Sequence, residues 1–466
     1  MFSLFYTFFK GRCLFPLSSS SRLFIAVVCL VSSASAAPNI VFILADDLGI
    51  TDINAYAARF SGQSTDDLYY ETPNLDRLVN QGIAFSQAYA NQLCTPTRAA
   101  ILTGLYPSRM GVTTATPPHT KTFFNQGLSV PEGANPHDAY EHADPIDHSQ
   151  AWVNGYSNTA LDPAISSLPQ VLKTHDAFFI GKWHLGSHGV RGFQPQDHGF
   201  EILSYYDAGA SVYFYWQDTW EPEKTLFPKM SQKDVYVGDA GEPPYADYLI
   251  DDTAERVERF LKQRAASDTD KPFFLYLNHF AVHTPLQAPQ ETVSAFEDKP
   301  QRGVLGHNHP TYAAMVKHLD LAVGRLMKAL ESTGLDENTL VVFTSDNGGV
   351  EYTNPAATDN APFRGGKACL YEGGVRVPLI IYWKGRYAGG DWIHQPVNCI
   401  DFLPTLAELT GNALPANLDG VSLLPLLEGE DLLPDERTFI WHYPFNVIVK
   451  HPNDGLPLTP HSAIRK

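Results

Sequence analysis

From Asn39 onward, short runs of β-branched and aromatic residues alternate with longer stretches whose apolar positions recur at helical spacing. The runs Ile40–Ala45, Ala177–Trp183, Pro272–Asn278, Leu340–Thr344 and Val377–Trp383 predict strands. Between the third and fourth, Met315, Leu319, Ala322, Val323, Leu326 and Leu330 share one helical face, and Gly334 is positioned to end that helix. Strands alternating with amphipathic helices predict an α/β domain around a large, mostly parallel sheet. Gly111–Ser166, rich in Pro, His, Asn and Asp, and Tyr205–Tyr245 break the alternation and read as long surface insertions. Long ordered loops tend to be functional. The second insertion carries Tyr205, Tyr206, Tyr213, Phe214, Tyr215, Trp216 and Trp220. Such rings suit stacking on sugars or packing the loop onto the domain, and the pattern alone does not choose between them.

The first residues follow a different pattern. Lys10, Arg12 and Arg22 precede or open an unbroken apolar run from Leu23 to Val31, followed by Ala34-Ser35-Ala36. This is the order of a secretory signal cleaved after Ala36. A membrane-spanning helix needs roughly 20 apolar residues, far more than this run offers. Nothing after Pro38 is apolar for long enough to span a bilayer, so the mature chain is expected to be soluble in a secreted, periplasmic or lysosomal-type compartment, which is oxidising. At 44% hydrophobic and 18% charged residues it can bury a sizeable core. Its 33 basic against 51 acidic residues give a net charge of −18, which repels polyanions at long range and argues against a nucleic-acid partner.

Candidate chemistry gathers at the ends of two predicted strands. Asp46-Asp47 ends the first and Asp346-Asn347 ends the fourth, and that edge of an open α/β sheet is where ligands bind. Three carboxylates and an amide are hard oxygen donors, suited to Ca²⁺ or Mg²⁺ rather than zinc. Each pair alone has an ordinary explanation as turn chemistry. The segment Cys94-Thr95-Pro96-Thr97-Arg98, running into Ala99–Gly104, changes the weighing. Cys-x-Pro-x-Arg arises by chance in about one chain of this length in fifty to a hundred. Cys13 and Cys29 leave with the signal, so Cys94, Cys369 and Cys399 remain. The last two are either a disulfide or two small buried hydrophobes.

Together these segments resemble the sulfatase family, formylglycine-dependent and arylsulfatase-like, within the alkaline phosphatase superfamily. The resemblance runs from Pro38 to about Tyr443. It is carried by Pro38-Asn39-Ile40-Val41, Thr72-Pro73-Asn74-Leu75-Asp76, Leu102-Thr103-Gly104, Gly181-Lys182-Trp183-His184-Leu185-Gly186, His283-Thr284-Pro285, Ser345-Asp346-Asn347-Gly348-Gly349, and Gly366-Lys367 leading into Tyr371–Arg376. It implies an alkaline-phosphatase-like fold and hydrolysis of sulfate esters. Export and the aromatic loop suggest a sulfated carbohydrate as substrate. It further implies that Cys94 is oxidised to formylglycine (3-oxoalanine) by a formylglycine-generating enzyme. The hydrated aldehyde would use one hydroxyl to attack sulfur and the second to expel sulfate. Pro96 suits the first turn of a helix, expected over Thr97–Thr103, whose positive dipole end faces the sulfate.

By the same resemblance, Asp46, Asp47, Asp346, Asn347 and the modified Cys94 hold one Ca²⁺, and Asp346 also accepts the proton of the attacking hydroxyl. Arg98 holds the modified side chain. Lys182 and Lys367 bind sulfate oxygens, His184 assists the second hydroxyl, and His283 with Lys367 serves the leaving alcohol. Outside these motifs the two lysines would read as solvated surface residues and the two histidines as core residues.

Two departures from the family pattern bear on this. The turn between Leu168–Lys173 and the Lys182 strand is a few residues shorter than usual, which affects where Lys182 and His184 sit. Residues 1–36 read as signal peptide and 37–445 as catalytic domain, while 446–466 are expected to be the start of a truncated C-terminal antiparallel subdomain. The rival readings are a phosphonate or phosphate ester hydrolase of the same superfamily, and a non-catalytic secreted protein that binds sulfated glycans.

Overall fold

A computed structural model describes residues 37–115, 157–220, 245–299, 305–430, 437–443 and 461–466, apart from 159, 188, 191 and 388. The expected signal peptide, most of the Gly111–Ser166 insertion and the end of the Tyr205–Tyr245 insertion lie outside them.

The chain lays down β1 (Asn39–Ala45), α1 (Asn54–Ser61), α2 (Pro73–Gln81), β2 (Ile83–Phe85), β3 (Ala88–Tyr89) and α3 (Cys94–Thr103). It continues through β4 (Asp176–Lys182), β5 (Glu201–Tyr206), α4 (Leu249–Ala265), β6 (Phe273–Asn278), α5 (Gln290–Glu297), α6 (Pro310–Thr333) and β7 (Thr339–Ser345). Then come β8 (Arg376–Val377), β9 (Leu379–Trp383), β10 (Asp391–Ile393), β11 (Val397–Asn398), α7 (Phe402–Leu409), β12 (Phe439–Tyr443) and β13 (His461–Arg465). All five predicted strands are present as β1, β4, β6, β7 and β9. The fifth is divided at Pro378, which has no N–H to give to a ladder.

Eight strands form one sheet in the order β10-β2-β9-β7-β1-β6-β4-β5. Only β9 runs against its neighbours; the other adjacent pairs are parallel. Strand alternation builds a core on each face. From β1, Ile40, Phe42 and Leu44 join the core under α3 and α7, while Val41, Ile43 and Ala45 join the core under α1, α2, α4, α5 and α6. The helix predicted from its apolar stripe is α6, and Gly334 ends it in the left-handed region at φ 72°.

Burying β1 between β6 and β7 has a functional consequence. Four adjacent parallel strands, β7, β1, β6 and β4, end side by side at one sheet edge, so residues far apart in sequence meet there. Outside this sheet, β12 and β13 pair antiparallel, and Phe439 and Trp441 pack around Tyr89. Residues 444–460, between those strands, lie outside the described part of the chain.

Candidate active site

Asp46 and Asp47 follow β1 directly and are wholly buried. In a continuing strand they would point to opposite faces. Asp47 instead takes a left-handed φ of 62°, which aspartate tolerates better than most residues, and the chain turns there. The backbone is braced from the loop after β6: Asp46 N donates to Ala281 O at 2.8 Å and Val282 N donates to Asp46 O at 2.6 Å. From the end of β7, Asp346 accepts the Asp47 N–H on Oδ1 at 3.1 Å. Asn347 donates from Nδ2 to Asp47 Oδ1 at 2.8 Å, while its own Oδ1 is buried without a hydrogen-bond partner. Gly348 allows this turn to close, since a Cβ there would fall 1.7 Å from Gly373 O.

The helix expected over Thr97–Thr103 begins three residues earlier, at Cys94. Cys94 therefore occupies its first turn, with Pro96 two residues on, and Leu93 at the N-cap supplies no side-chain cap. First-turn N–H groups have no partner within a helix, so this end is suited to an anion. Cys94 Sγ lies 3.6 Å from Asp46 Oδ1. Donor atoms of Cys94, Asp46, Asp47 and His283 all fall within 4.8 Å of one another.

Each buried carboxylate meets a buried cation. Lys182 Nζ donates to Asp46 Oδ2 at 2.6 Å, and Lys367 Nζ donates to Asp47 Oδ2 at 2.8 Å. Arg98 donates from Nε and Nη2 to Asp346 Oδ2, at 3.2 and 2.8 Å, and from Nη1 to Lys182 O at 3.0 Å. With the shortened turn before β4, Lys182 ends that strand beside Asp46. His283 is the more accessible member, its side chain 15% exposed with Nε2 3.6 Å from Asp47 Oδ2. Its Nδ1 faces Thr284 O at 2.6 Å. His184 is buried just beyond β4, and its ring packs against Gly209, where a Cβ would come within 3.0 Å of Nε2.

Burial and these charges set the protonation states. Burial, offset in part by Lys182, pushes Asp46 up to about 8. Asp47 is also buried, but Lys367, His283 and Lys182 outweigh that and hold it below the usual carboxylate range. Burial pushes the Cys94 thiol up to about 12, so the unmodified sulfur stays protonated and is a poor nucleophile. Burial and then the Lys367 charge drive His283 down to about 3, leaving it neutral. Asp47 holds Lys367 protonated despite its burial.

The sulfatase family model matches residues 38–412. A sulfatase of Formosa agariphila is 32% identical over 93% of this chain and 79% of its own length. Human arylsulfatase A is 32% identical over 88% of this chain and 72% of its own. The solved structure of Ps i-CgsB in complex with k-i-k-neocarrahexaose superposes with a TM-score of 0.66 at 27% identity, over 87% of this chain and 79% of that one. The chain belongs to the sulfatase family. It is a sulfuric ester hydrolase with the family's alkaline-phosphatase-like fold.

In this sulfatase the oxygen donors Asp46, Asp47, Asp346 and Asn347 fit a hard divalent cation such as Ca²⁺. The unpartnered Asn347 Oδ1 fits such a cation, because a buried amide oxygen without a partner is costly.

Sequence reasoning missed a second buried layer behind these oxygen donors. Asp52 accepts from Gly49 N at 2.7 Å, Tyr312 OH at 2.6 Å and Thr358 OH at 2.6 Å. The Tyr312 hydroxyl also lies 3.3 Å from Asp47 O. Asp52 sits five residues after Asp47, a signal that proximity in sequence offered. Burial raises it to about 7.

The aromatic insertion is corrected. Tyr205 and Tyr206 belong to β5, and these two with Tyr213, Trp216 and Trp220 are buried, so most of the rings pack the domain. Cys369 and Cys399 are both buried free thiols, which leaves the small-hydrophobe alternative.

Proposed function

We propose that this sulfatase releases sulfate from a sulfated carbohydrate, using one Ca²⁺ and a formylglycine formed from Cys94. The observation that carries the reading is the meeting of Cys94 with Asp46, Asp47 and His283 within 4.8 Å, at the N-terminal end of a buried helix. Asp46, Asp47, Asp346 and Asn347 are the ligands for Ca²⁺, which would polarise the sulfate ester and offset charge as sulfur is attacked. Formylglycine supplies an activated hydroxyl nucleophile where the buried thiol cannot.

The chain's own groups do the remaining work. Lys182, Lys367 and Arg98 surround the reacting position with positive charge, which favours an anionic substrate and a transition state richer in negative charge. Asp346, hydrogen-bonded to Arg98, is the proton acceptor for the attacking hydroxyl. Lys367, held protonated beside Asp47, supplies the positive charge and the proton that neutralise the departing alkoxide, while neutral His283, its one N–H turned to Thr284 O, lines the leaving-group side without giving a proton. His184, buried on the β4 side, assists the second hydroxyl. A carbohydrate substrate is supported by the family likeness to a structure solved with k-i-k-neocarrahexaose. The N-terminal pattern supports export, with residues 1–36 as a signal peptide and a formylglycine-generating enzyme as maturation partner.

The test is sulfate release from a small aryl sulfate and from a panel of sulfated oligosaccharides, beside the matching phosphate esters. The expected result is turnover of sulfate esters that a calcium chelator abolishes. Faster hydrolysis of phosphate or phosphonate esters would overturn the assignment of sulfate, and binding of sulfated glycans without turnover would overturn catalysis.

A further inference from the structure

We infer that Tyr215 is the platform of a carbohydrate-binding subsite that stacks on a sugar neighbouring the sulfated one. The inference rests on the sulfated-carbohydrate reading and narrows it to one residue.

Segment 209–216 runs as a strap along the two histidines of the site. At one end, Gly209 packs on the His184 ring, closely enough that a Cβ would come within 3.0 Å of Nε2. Further on, the Tyr213 hydroxyl bonds Phe280 O at 2.5 Å and His283 O at 2.9 Å, on the loop that carries the His283 imidazole. The Tyr213 backbone is tied down as well: its N–H donates to Gln287 Oε1 at 2.8 Å, and its carbonyl accepts from Leu249 N at 2.9 Å. Phe214 bridges Tyr248, with ring centroids 5.0 Å apart.

Tyr215 follows on this anchored strap and differs from its neighbours. It is 81% exposed, whereas Tyr213 and Trp216 on either side have no exposure. Single exposed apolar residues are ordinary. A tyrosine held at a left-handed φ of 55° is not, because a bulky side chain pays for that backbone. Buried anchors on both sides hold the backbone that carries the exposed ring, so less of the chain is left to order on binding. Two residues span at most roughly 7 Å, so the Tyr215 backbone stays within that reach of Tyr213, whose hydroxyl bonds the His283 loop. A sugar next to the sulfated one would present its apolar ring face to such an exposed aromatic surface.

The experiment compares wild type with Tyr215→Ala and Tyr215→Trp on a small aryl sulfate, and on carrageenan and glycosaminoglycan oligosaccharides of two, four and six sugars. For the best oligosaccharide, kcat/KM is expected to fall about tenfold in the Ala variant, as loss of a ring contact remote from the chemistry implies. The Trp variant should retain most of it, and aryl sulfate turnover should change less than about twofold in both. Equal losses on aryl and oligosaccharide substrates, or no loss on any oligosaccharide, would overturn the subsite. Wild-type turnover of the aryl sulfate alone would also overturn the subsite while leaving sulfate hydrolysis standing. No sulfate released by the wild type from any substrate would overturn the function beneath it.

Discussion

The Lys182 ammonium lies 2.6 Å from Oδ2 of Asp46, and neither side chain is exposed to solvent. Burial holds the Asp46 carboxyl up to about 8, so without metal it is ionised beside Lys182 only above that pH, where removing the lysine leaves a buried charge uncompensated at a cost of about 3–5 kcal/mol. Lys182→Ala is expected to lose that much stability by denaturant unfolding above that pH in the presence of a chelator, with sulfate release lost. Because a bound cation compensates Asp46 in the same way, saturating calcium should restore much of the stability and none of the activity. Equal destabilisation with and without calcium would count against Asp46 as a ligand.

Asp346 links two functions, since its Oδ1 fixes the Asp47 backbone and its Oδ2 holds Arg98. Asp346→Ala should bind calcium at least about tenfold more weakly and show no turnover. Elemental analysis of dialysed protein reads the metal. Full calcium stoichiometry in the variant, or zinc bound in its place, would refute the ligand set.

In the proposed mechanism Cys94 becomes the nucleophile. In active, exported protein, mass analysis should find the Cys94 peptide lighter than its thiol form, by the change from CH₂SH to CHO. Cys94→Ala should fold and bind calcium yet release no sulfate, because its side chain offers no nucleophile. Full activity in that variant would end the mechanism.

Asp52 supports the Asp47 turn without touching substrate. Asp52→Asn disturbs the three donors that converge on the carboxylate and should weaken calcium binding about tenfold, with kcat at saturating calcium nearly kept. Its pH signature is separate. An acid whose folded pKa is raised, here to about 7, binds its proton more tightly folded than unfolded. Wild-type stability relative to the Asn variant should therefore fall as pH rises from about 4 to 7. His307, which faces Asp52 at 3.7 Å, is pushed down to about 4 by burial and stays neutral across most of that window, as do Tyr312 and Tyr70. A flat difference across that range would show that Asp52 is ionised throughout.

Trp216 packs on Trp220 with ring centroids 4.5 Å apart. Trp216→Ala should destabilise the protein by about 3–5 kcal/mol, as for other large core truncations, and lower the melting temperature. Unchanged melting with selective loss on oligosaccharides would reassign Trp216 as a substrate contact.

Much of the fold was legible because β-branched runs and the α6 stripe report burial directly. The Asp-Asp and Asp-Asn pairs were legible because each follows such a run. The start of α3 was misread, since Cys94-Thr95-Pro96 has no apolar periodicity and only tertiary burial makes it helical. The aromatic insertion was legible as composition and ambiguous as structure. Buried and exposed tyrosines look alike in a sequence, and it is the β5 ladder and the contacts to the His283 loop that separate Tyr205 and Tyr213 from Tyr215.

The sequence by itself determined the kinds of group available: a thiol before a proline and an arginine, hard oxygen donors after two strands, and lysines and histidines in fixed motifs. These are local properties, set by residue type and spacing. Which groups meet was decided by the tertiary structure. The order β7-β1-β6-β4 brings Asp346, Asp46, the His283 loop and Lys182 to one edge, and the left-handed turn at Asp47 directs two successive carboxylates into one pocket. The protonation states follow from that meeting, because burial and neighbouring charge act through distance in space and not along the chain.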